Sequence, residues 1–267
     1  LHYNHQPGIS LATADAALKA LGINPIGAIT LVDASTLSQA FAPWFSPSYP
    51  ALIARISGAE TAAGIRRALR VTYPAEFAVR LVHNPGTQQA LVEDLPLDAI
   101  DRSPRLGADS LLYLPALGAE TSLEFFQEVI AHLRDPQTGC PWDKEQTHAS
   151  LRQYLLEETY ETLEALDDGN MSKVREELGD LLLQLVLHAQ IATEAGAFTM
   201  ADILQGINTK IIHRHPHVFG DVEVAGVGGV LRNWERLKAE ERASNGEKEK
   251  GLLGSVPRIL AALALAQ

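Results

Sequence analysis

The stretch Glu157-Glu158-Thr159-Tyr160-Glu161 is followed by Asp167-Asp168-Gly169-Asn170 and then by Glu176-Glu177-Leu178-Gly179-Asp180. Glu158 and Glu161 are three apart, and so are Glu177 and Asp180. On a helix that spacing puts both members of a pair on one face, about 5 Å apart along the axis. Gly169 is the residue type that ends helices in a left-handed conformation, so it marks a turn. Counting outward from it, Glu161 and Glu177 lie eight residues away, Glu158 and Asp180 eleven. A helical hairpin folded at Gly169 brings the two acidic pairs level.

Four facing carboxylates repel one another, and each costs free energy to desolvate without a partner. Leu155 and Leu156 precede the first pair, and Leu-Leu-Leu-Gln-Leu-Val-Leu-His-Ala follows Asp180, so water is scarce. A hard divalent cation with oxygen ligands, Mg²⁺ or else Mn²⁺, is the simplest remedy. A lone E-x-x-E is ordinarily a solvated acidic face; two such pairs mirrored about one turn beside an apolar run point to a metal site. Further along the same stripe fall Gln184 and His188, the histidine being either a core residue or a substrate contact. The opposite stripe, Leu178, Leu181, Leu182, Leu185 and Val186, is expected to be core.

The chain has 267 residues, 46% of them hydrophobic, room for one large or two ordinary domains. Its net charge of −11, from 33 acidic and 22 basic residues, argues against a nucleic-acid or membrane-surface binder. Anionic small molecules remain possible where a cation mediates. The single Cys140 permits no internal disulfide, and no base or cation stands beside it in sequence to make it a nucleophile. With no signal peptide and no membrane-spanning apolar run, a cytoplasmic location is expected. The start at Leu1 and the stop inside Ile259-Leu-Ala-Ala-Leu-Ala-Leu-Ala-Gln267 read as cuts.

Residues 1–117 alternate in character. Apolar runs at Ala28–Val32, Ala51–Ile56, Ala78–Val82 and Leu111–Leu114 predict strands, and Thr13–Leu21 and Glu60–Val71 predict helices. Asn24-Pro25 and Asn84-Pro85-Gly86 punctuate them, giving an α/β pattern without a Gly-rich phosphate loop or an acidic or histidine cluster. Gly118–Thr121 reads as a linker. From Ser122 helical periodicity takes over: Leu123, Phe126, Val129, Ile130 and Leu133 form a stripe ending at Asp135-Pro136. Asp135 to His148 is too rich in Pro and Gly for a helix, and Thr147 or His148 is expected to start the next one. Asn170 or Ser172 caps a long helix to about Ala195, and another runs from Met200 to His213. Val224-Ala-Gly-Val-Gly-Gly229 reads as a loop before a charged helix around Arg232–Arg242, and Ser244-Asn-Gly-Glu-Lys-Glu-Lys250 as a surface loop.

Pro7-Gly-Ile-Ser, Ala-Leu-Lys-Ala-Leu-Gly-Ile-Asn-Pro25, Leu-Val-Asp-Ala34, Tyr49-Pro-Ala-Leu-Ile-Ala-Arg and Leu111-Leu-Tyr-Leu-Pro-Ala-Leu resemble the C-terminal half of a tetrapyrrole (corrin/porphyrin) methylase domain. That family holds S-adenosylmethionine between two halves, and its glycine-rich half is missing, so a scaffold or dimerisation role is expected rather than methylation.

Gly139-Cys-Pro-Trp-Asp-Lys-Glu-Gln-Thr-His-Ala-Ser-Leu, Tyr154-Leu-Leu-Glu-Glu-Thr-Tyr-Glu, the run from Glu176 to Ala189, Arg214-His-Pro-His-Val-Phe-Gly-Asp and Asn233-Trp-Glu-Arg-Leu-Lys resemble the MazG nucleoside triphosphate pyrophosphohydrolases. The resemblance implies an all-α helical bundle and hydrolysis of a nucleoside triphosphate to monophosphate and pyrophosphate with Mg²⁺. It places the metal pattern E-x-x-E…E-x-x-D on Glu158, Glu161, Glu177 and Asp180, which also serve catalysis. Glu157 and Glu176 are outer ligands, bases or solvent-facing. Lys210 and Arg214, one helical turn apart, match basic positions of the family and would hold phosphate; Lys144 and Arg152 are weaker candidates. Trp234, and less so Trp142, would stack on a base. The histidines of His213-Arg-His-Pro-His217 invite a zinc reading, but Pro216 interrupts them and the segment reads as a helix stop.

The expected architecture is therefore α+β and multidomain: a partial methylase-like α/β domain over residues 1–117, a linker at 118–121, and an all-α MazG-like bundle over 122–267. Two hairpins alone cannot bury their apolar stripes, so a homodimer is expected, with nucleoside triphosphates as substrates and removal of unwanted nucleotides as the role. A carboxylate-bridged di-iron bundle would need a Glu-x-x-His motif that neither pair supplies. A non-catalytic regulator or scaffold in tetrapyrrole metabolism is the remaining rival, and the presence of all four ligands counts against it.

Overall fold

The computed structural model of the chain describes residues 10–24 and 27–244. Pro7 to Ile9, Pro25, the polar segment after Ser244 and the terminal apolar run lie outside the described residues. By internal contacts the chain divides inside one long helix, into Leu1–Leu187 and His188–Gln267.

The first unit opens with helix α1 (Leu11–Ala20), whose first turn is capped by Ser10 accepting a bond from Thr13 N at 3.1 Å. Strand β1 (Thr30–Asp33), helix α2 (Ala34–Gln39), β2 (Ala51–Ala54), α3 (Ala59–Leu69), β3 (Ala78–His83), β4 (Leu91–Pro96) and β5 (Ser110–Leu114) follow. The strands form one sheet in the order β1-β2-β5-β3-β4. Only β1 and β2 run parallel; β2–β5, β5–β3 and β3–β4 are antiparallel. The sheet is thus mixed, with α1, α2 and α3 interspersed among its first strands.

Alternation along the strands explains the two-sided burial. Ile53, Leu81, Leu112 and Leu114 join α2 and α3 in one apolar cluster, while Leu52, Val82 and Leu111 join α1 in another. All four residues of β2 are buried, which is why its sequence is wholly apolar. Each large aliphatic side chain so enclosed contributes roughly 1.5–3 kcal/mol. Strand β4, which sequence reading missed, carries Glu93 and Asp94 and ends in Pro96. Those residue types suit an edge strand, where charge and a missing N–H block further pairing. Across this edge His83, buried, places Nδ1 2.9 Å from Ser110 Oγ and Nε2 3.3 Å from Glu93 Oε2, to which Ser103 also donates at 2.6 Å. A histidine–carboxylate pair therefore exists where no acidic or histidine cluster was expected, and it bridges strands.

The segment expected to be a linker is a single 3-10 turn, Ala119–Thr121, tied back to the sheet domain. Ser122 Oγ lies 2.5 Å from Ser48 Oγ and accepts from Phe125 N at 3.2 Å, capping α4 (Leu123–Leu133). A short helix α5 (Pro141–Glu145) follows in the stretch expected to be irregular. Its proline occupies the first turn, where no N–H is needed. Helix α6 (Arg152–Asp167) begins later than Thr147 or His148, because Thr147 and Ser150 bond each other's backbone N–H and hold a separate turn. Helix α7 (Met171–Glu194) then runs the length predicted for it.

Within the second unit, α8 (Met200–Arg214) starts with a reciprocal box: Asp202 N bonds Thr199 Oγ1 at 3.3 Å and Thr199 N bonds Asp202 Oδ2 at 2.8 Å. After α9 (Pro216–Phe219) comes α10 (Gly226–Ser244), which absorbs most of the Val-Ala-Gly-Val-Gly-Gly segment expected to be loop. Among the described residues no helix is long and apolar enough to cross a membrane.

Candidate metal centre

The turn between α6 and α7 is built from local chemistry. Gly169 adopts φ +66°, and the bonds Gly169 N to Leu166 O (3.1 Å) and Asn170 N to Ala165 O (3.2 Å) close α6. Asn170 Oδ1 then accepts from Lys173 N at 3.2 Å and caps α7. Thr159 and Thr162 turn their hydroxyls onto the carbonyls of Leu155 (2.6 Å) and Glu158 (2.8 Å), so they leave the acidic face to the glutamates.

Glu158 and Glu161 from α6 and Glu177 from α7 bring one carboxylate oxygen each within 4.8 Å of one another. Among the described residues this is the one such group of three histidine, cysteine or acidic side chains. Glu177 is 7% exposed. Burial, and then the charges of Asp180, Glu161, Glu177 and Glu157, push the Glu158 carboxyl above its ordinary value. Glu177 is raised by burial first, then by Glu161, against which Lys173 pulls, and then by Asp180 and Glu176. Asp180 therefore belongs to the same electrostatic cluster, and the exposed Glu157 and Glu176 add their charges to it.

The largest charges acting on Glu158 are negative, and Lys173, which acts on Glu177, also pairs with Glu164 at 3.5 Å. Carboxylates so placed are relieved by taking up protons or by enclosing a cation. The donor set is all oxygen, anionic and hard, and it fits Mg²⁺ or Mn²⁺.

Other expectations meet a different outcome. Leu178, Leu182 and Leu185 are 52%, 41% and 54% exposed, so the stripe expected to be core is largely an outer face; only Val186 of its far end is buried. The inner seam of α7 instead carries Val174, Glu177, Gln184, Leu187 and Ala189. An apolar hollow of about 490 Å³ between α4 and α7 is lined by Phe125, Phe126, Val129 and Leu182. Lys144 directs Nζ to Pro136 O at 3.4 Å, and Trp142, 49% exposed, packs edge-on against Tyr154 with ring centres 5.7 Å apart. Arg152 is exposed at the first position of α6.

In the second unit, Lys210 is exposed on α8. Arg214 is gripped by Glu241 of α10: Nε donates to both carboxylate oxygens at 3.2 and 3.1 Å, and Nη2 to Oε2. His213 shares Oε1 of the same glutamate at 3.0 Å. Sequence reading missed Glu241, whose only signal is a charge on a helix predicted to be charged. Trp234 lies with Lys238 Nζ 5.0 Å from its ring centre, and its Nε1 is buried without a hydrogen-bond partner. His188 is half-buried on α7. His215 Nδ1 donates to Ile211 O (2.7 Å), and with His213 on Glu241 the three histidines do not converge as zinc ligands would.

Residues 146–219 match the MazG nucleotide pyrophosphohydrolase domain, a span that contains all four acids of the hairpin. The chain is 41% identical to the uncharacterized protein YabN of Bacillus subtilis, over 94% of this chain and 51% of that protein. It is 46% identical to a nucleoside triphosphate pyrophosphohydrolase/pyrophosphatase MazG of Thermotoga maritima, over 53% of this chain and 54% of that one. To a nucleoside triphosphate pyrophosphohydrolase of Escherichia coli K12 it is 48% identical, over 52% of each. The chain spans about half the length of the curated relatives it matches.

Proposed function

We propose that this chain hydrolyses nucleoside triphosphates between the α- and β-phosphates, using a divalent ion, Mg²⁺ or alternatively Mn²⁺, held by Glu158, Glu161, Glu177 and Asp180. The observation that carries the reading is the convergence of three carboxylates within 4.8 Å, two of them raised above their ordinary values by burial and acidic neighbours. The MazG match over the same residues and the printed activity of the relatives support it.

A bound divalent ion would supply neutralisation of the phosphate oxygens and a more acidic water. The residues do the rest. The carboxylates of α6 and α7 would hold the ion between two helices joined by the turn at Gly169. A carboxylate oxygen of the quartet, or of Glu157 or Glu176, takes the proton of the attacking water. The new bond joins water oxygen to the α-phosphorus; the bond from that phosphorus to the bridging oxygen breaks, and pyrophosphate leaves. Lys210 and Arg214 are proposed to hold phosphate oxygens, with Arg214 using Nη1, the nitrogen that Glu241 does not engage. Lys144 and His188 are proposed as further substrate contacts, and Trp234 as a base platform.

The domain reading proposed is residues 1–117 as a partial methylase-like unit, 118–121 as the join and 122–267 as the MazG-like part. A homodimer is supported by exposed apolar side chains along the hairpin: Tyr160, Leu163 and Leu166 on α6, Leu178, Leu182 and Leu185 on α7. Clearing unwanted nucleotides is the proposed role.

The test is pyrophosphate release from a panel of standard and damaged nucleoside triphosphates with Mg²⁺, wild type against Glu158→Ala. Release that depends on Mg²⁺ and drops by at least a hundredfold in the variant supports the reading. A wild type that releases none from any nucleotide, or a variant as fast as wild type, ends it.

A further inference from the structure

Gln184 stands out on the seam of α7. It is 5% exposed, and its amide oxygen is buried without a hydrogen-bond partner. It follows Asp180 by four residues and Glu177 by seven, so all three lie on one helix face, with Gln184 a turn further from Gly169. Leu187, three residues on, is buried too, and a leucine in place of Gln184 would carry no such desolvation cost. An orphaned acceptor at such a place calls for a donor that arrives from outside the chain.

Chemistry narrows the donor. Phosphate oxygens at neutral pH accept hydrogen bonds and repel an amide oxygen, so the triphosphate cannot satisfy it. The other half of a nucleotide offers ribose hydroxyls and base N–H groups. A nucleotide whose phosphates sit at the carboxylates extends its nucleoside past them, and Gln184 lies one turn from Asp180, within reach of it.

We propose that Gln184 is a specificity-determining residue of this site, its amide oxygen accepting a hydrogen bond from a donor on the nucleoside half of the substrate. The proposal rests on the triphosphate reading above. A carboxamide oxygen presented on a fixed helix rewards nucleotides that carry the donor and penalises those that lack it, because the acceptor then stays buried and unpaired.

The experiment measures calorimetric binding of α,β-methylene nucleoside triphosphates, which are not cleaved, to the full chain with Mg²⁺. The analogues differ by one donor at a time: with and without the exocyclic base amine, and with 2′- or 3′-hydroxyl removed. Wild type is expected to lose about tenfold in affinity on removal of one of these donors, the usual effect of one hydrogen bond. Which arm responds tells base from sugar. Gln184→Leu, or Gln184→Met should leucine fail to fold, is expected to bind the full and the donor-lacking analogue equally, with affinity for Mn²⁺ alone as in wild type.

Wild type indifferent to every donor, or a variant that still discriminates as wild type does, overturns the proposal. So does a change in Mn²⁺ affinity without nucleotide, which would make the amide a metal ligand. If Glu158→Ala abolishes Mg²⁺-dependent cleavage while Gln184→Leu discriminates normally, this inference alone has failed. If wild type neither binds nor cleaves any triphosphate, the functional reading has failed and takes the inference with it.

Discussion

Arg214 and Glu241, 27 residues apart in sequence, are locked together by a two-pronged contact from Nε and Nη2 of the guanidinium to both carboxylate oxygens. The bond from Arg214, then that from His213, hold the Glu241 carboxyl down to about 2 from its ordinary 4.5, against the opposing effect of burial. A carboxyl lowered on folding adds stability that is whole above its unfolded value and vanishes as pH falls through its folded one. Glu241→Gln is therefore expected to lower the unfolding free energy above about pH 5 by an amount on the order of 1 kcal/mol, read as a lower melting temperature. The gap between variant and wild type should close as pH is taken from 4.5 towards 2. Thermal melts across that range check it; a gap independent of pH would show that the contact acts through packing.

Glu158 and Glu177 bear the opposite sign. Their folded values lie above the ordinary one of 4.5, so the folded state binds protons the unfolded chain has released. Metal-free protein should gain stability as pH falls from neutral towards 4.5, the part of the curve these two groups govern. Glu177→Gln should raise the metal-free melting temperature at neutral pH, since it removes a buried charge among like charges. Differential scanning calorimetry in chelator reads both; a variant less stable than wild type would mean the glutamate is held by bonds rather than strained by neighbours.

A cation that binds only the folded hairpin stabilises it by mass action, about 2.7 kcal/mol at a hundredfold excess over its dissociation constant. Mg²⁺ or Mn²⁺ titration is expected to raise the melting temperature of wild type and to leave Glu177→Gln nearly unmoved. Equal shifts in both would place the ion elsewhere.

Gly169 holds φ +66° with nothing within 4 Å of where a Cβ would stand. Gly169→Ala should therefore cost about 1 kcal/mol from backbone conformation alone, and Gly169→Asn less, because asparagine tolerates that region. Urea unfolding distinguishes the two; equal losses would point to a contact the open space does not suggest.

Leu185, 54% exposed on the outer face of α7, tests self-association. Sedimentation should find wild type dimeric and Leu185→Glu monomeric with its helical signal intact. A monomeric wild type removes the dimer from the proposal.

The hairpin was legible because its signals are local: glycine and asparagine set the turn, and three-residue spacing sets the acidic face. The destination of the leucines was not. An apolar stripe announces that something covers it, without saying whether that cover comes from the same chain, and Leu178, Leu182 and Leu185 point away from the seam. Pro141 reads as a breaker in sequence yet heads a helix, and Gly226 to Gly229 read as loop yet open α10. Strand β4 hid behind its acids, which an edge position tolerates. Glu241 was beyond reach because its partner lies far along the chain, and no periodicity encodes a pair at that distance.

Because Gly169 and Asn170 clamp the crossing point of α6 and α7, the chain between the acidic pairs serves as a measuring rod. A single residue inserted between Glu161 and Gly169 would rotate one acidic pair by about 100° relative to the other, at 3.6 residues per turn. Spacer length should thus be held more strictly among functional descendants than the identity of the residues that fill it.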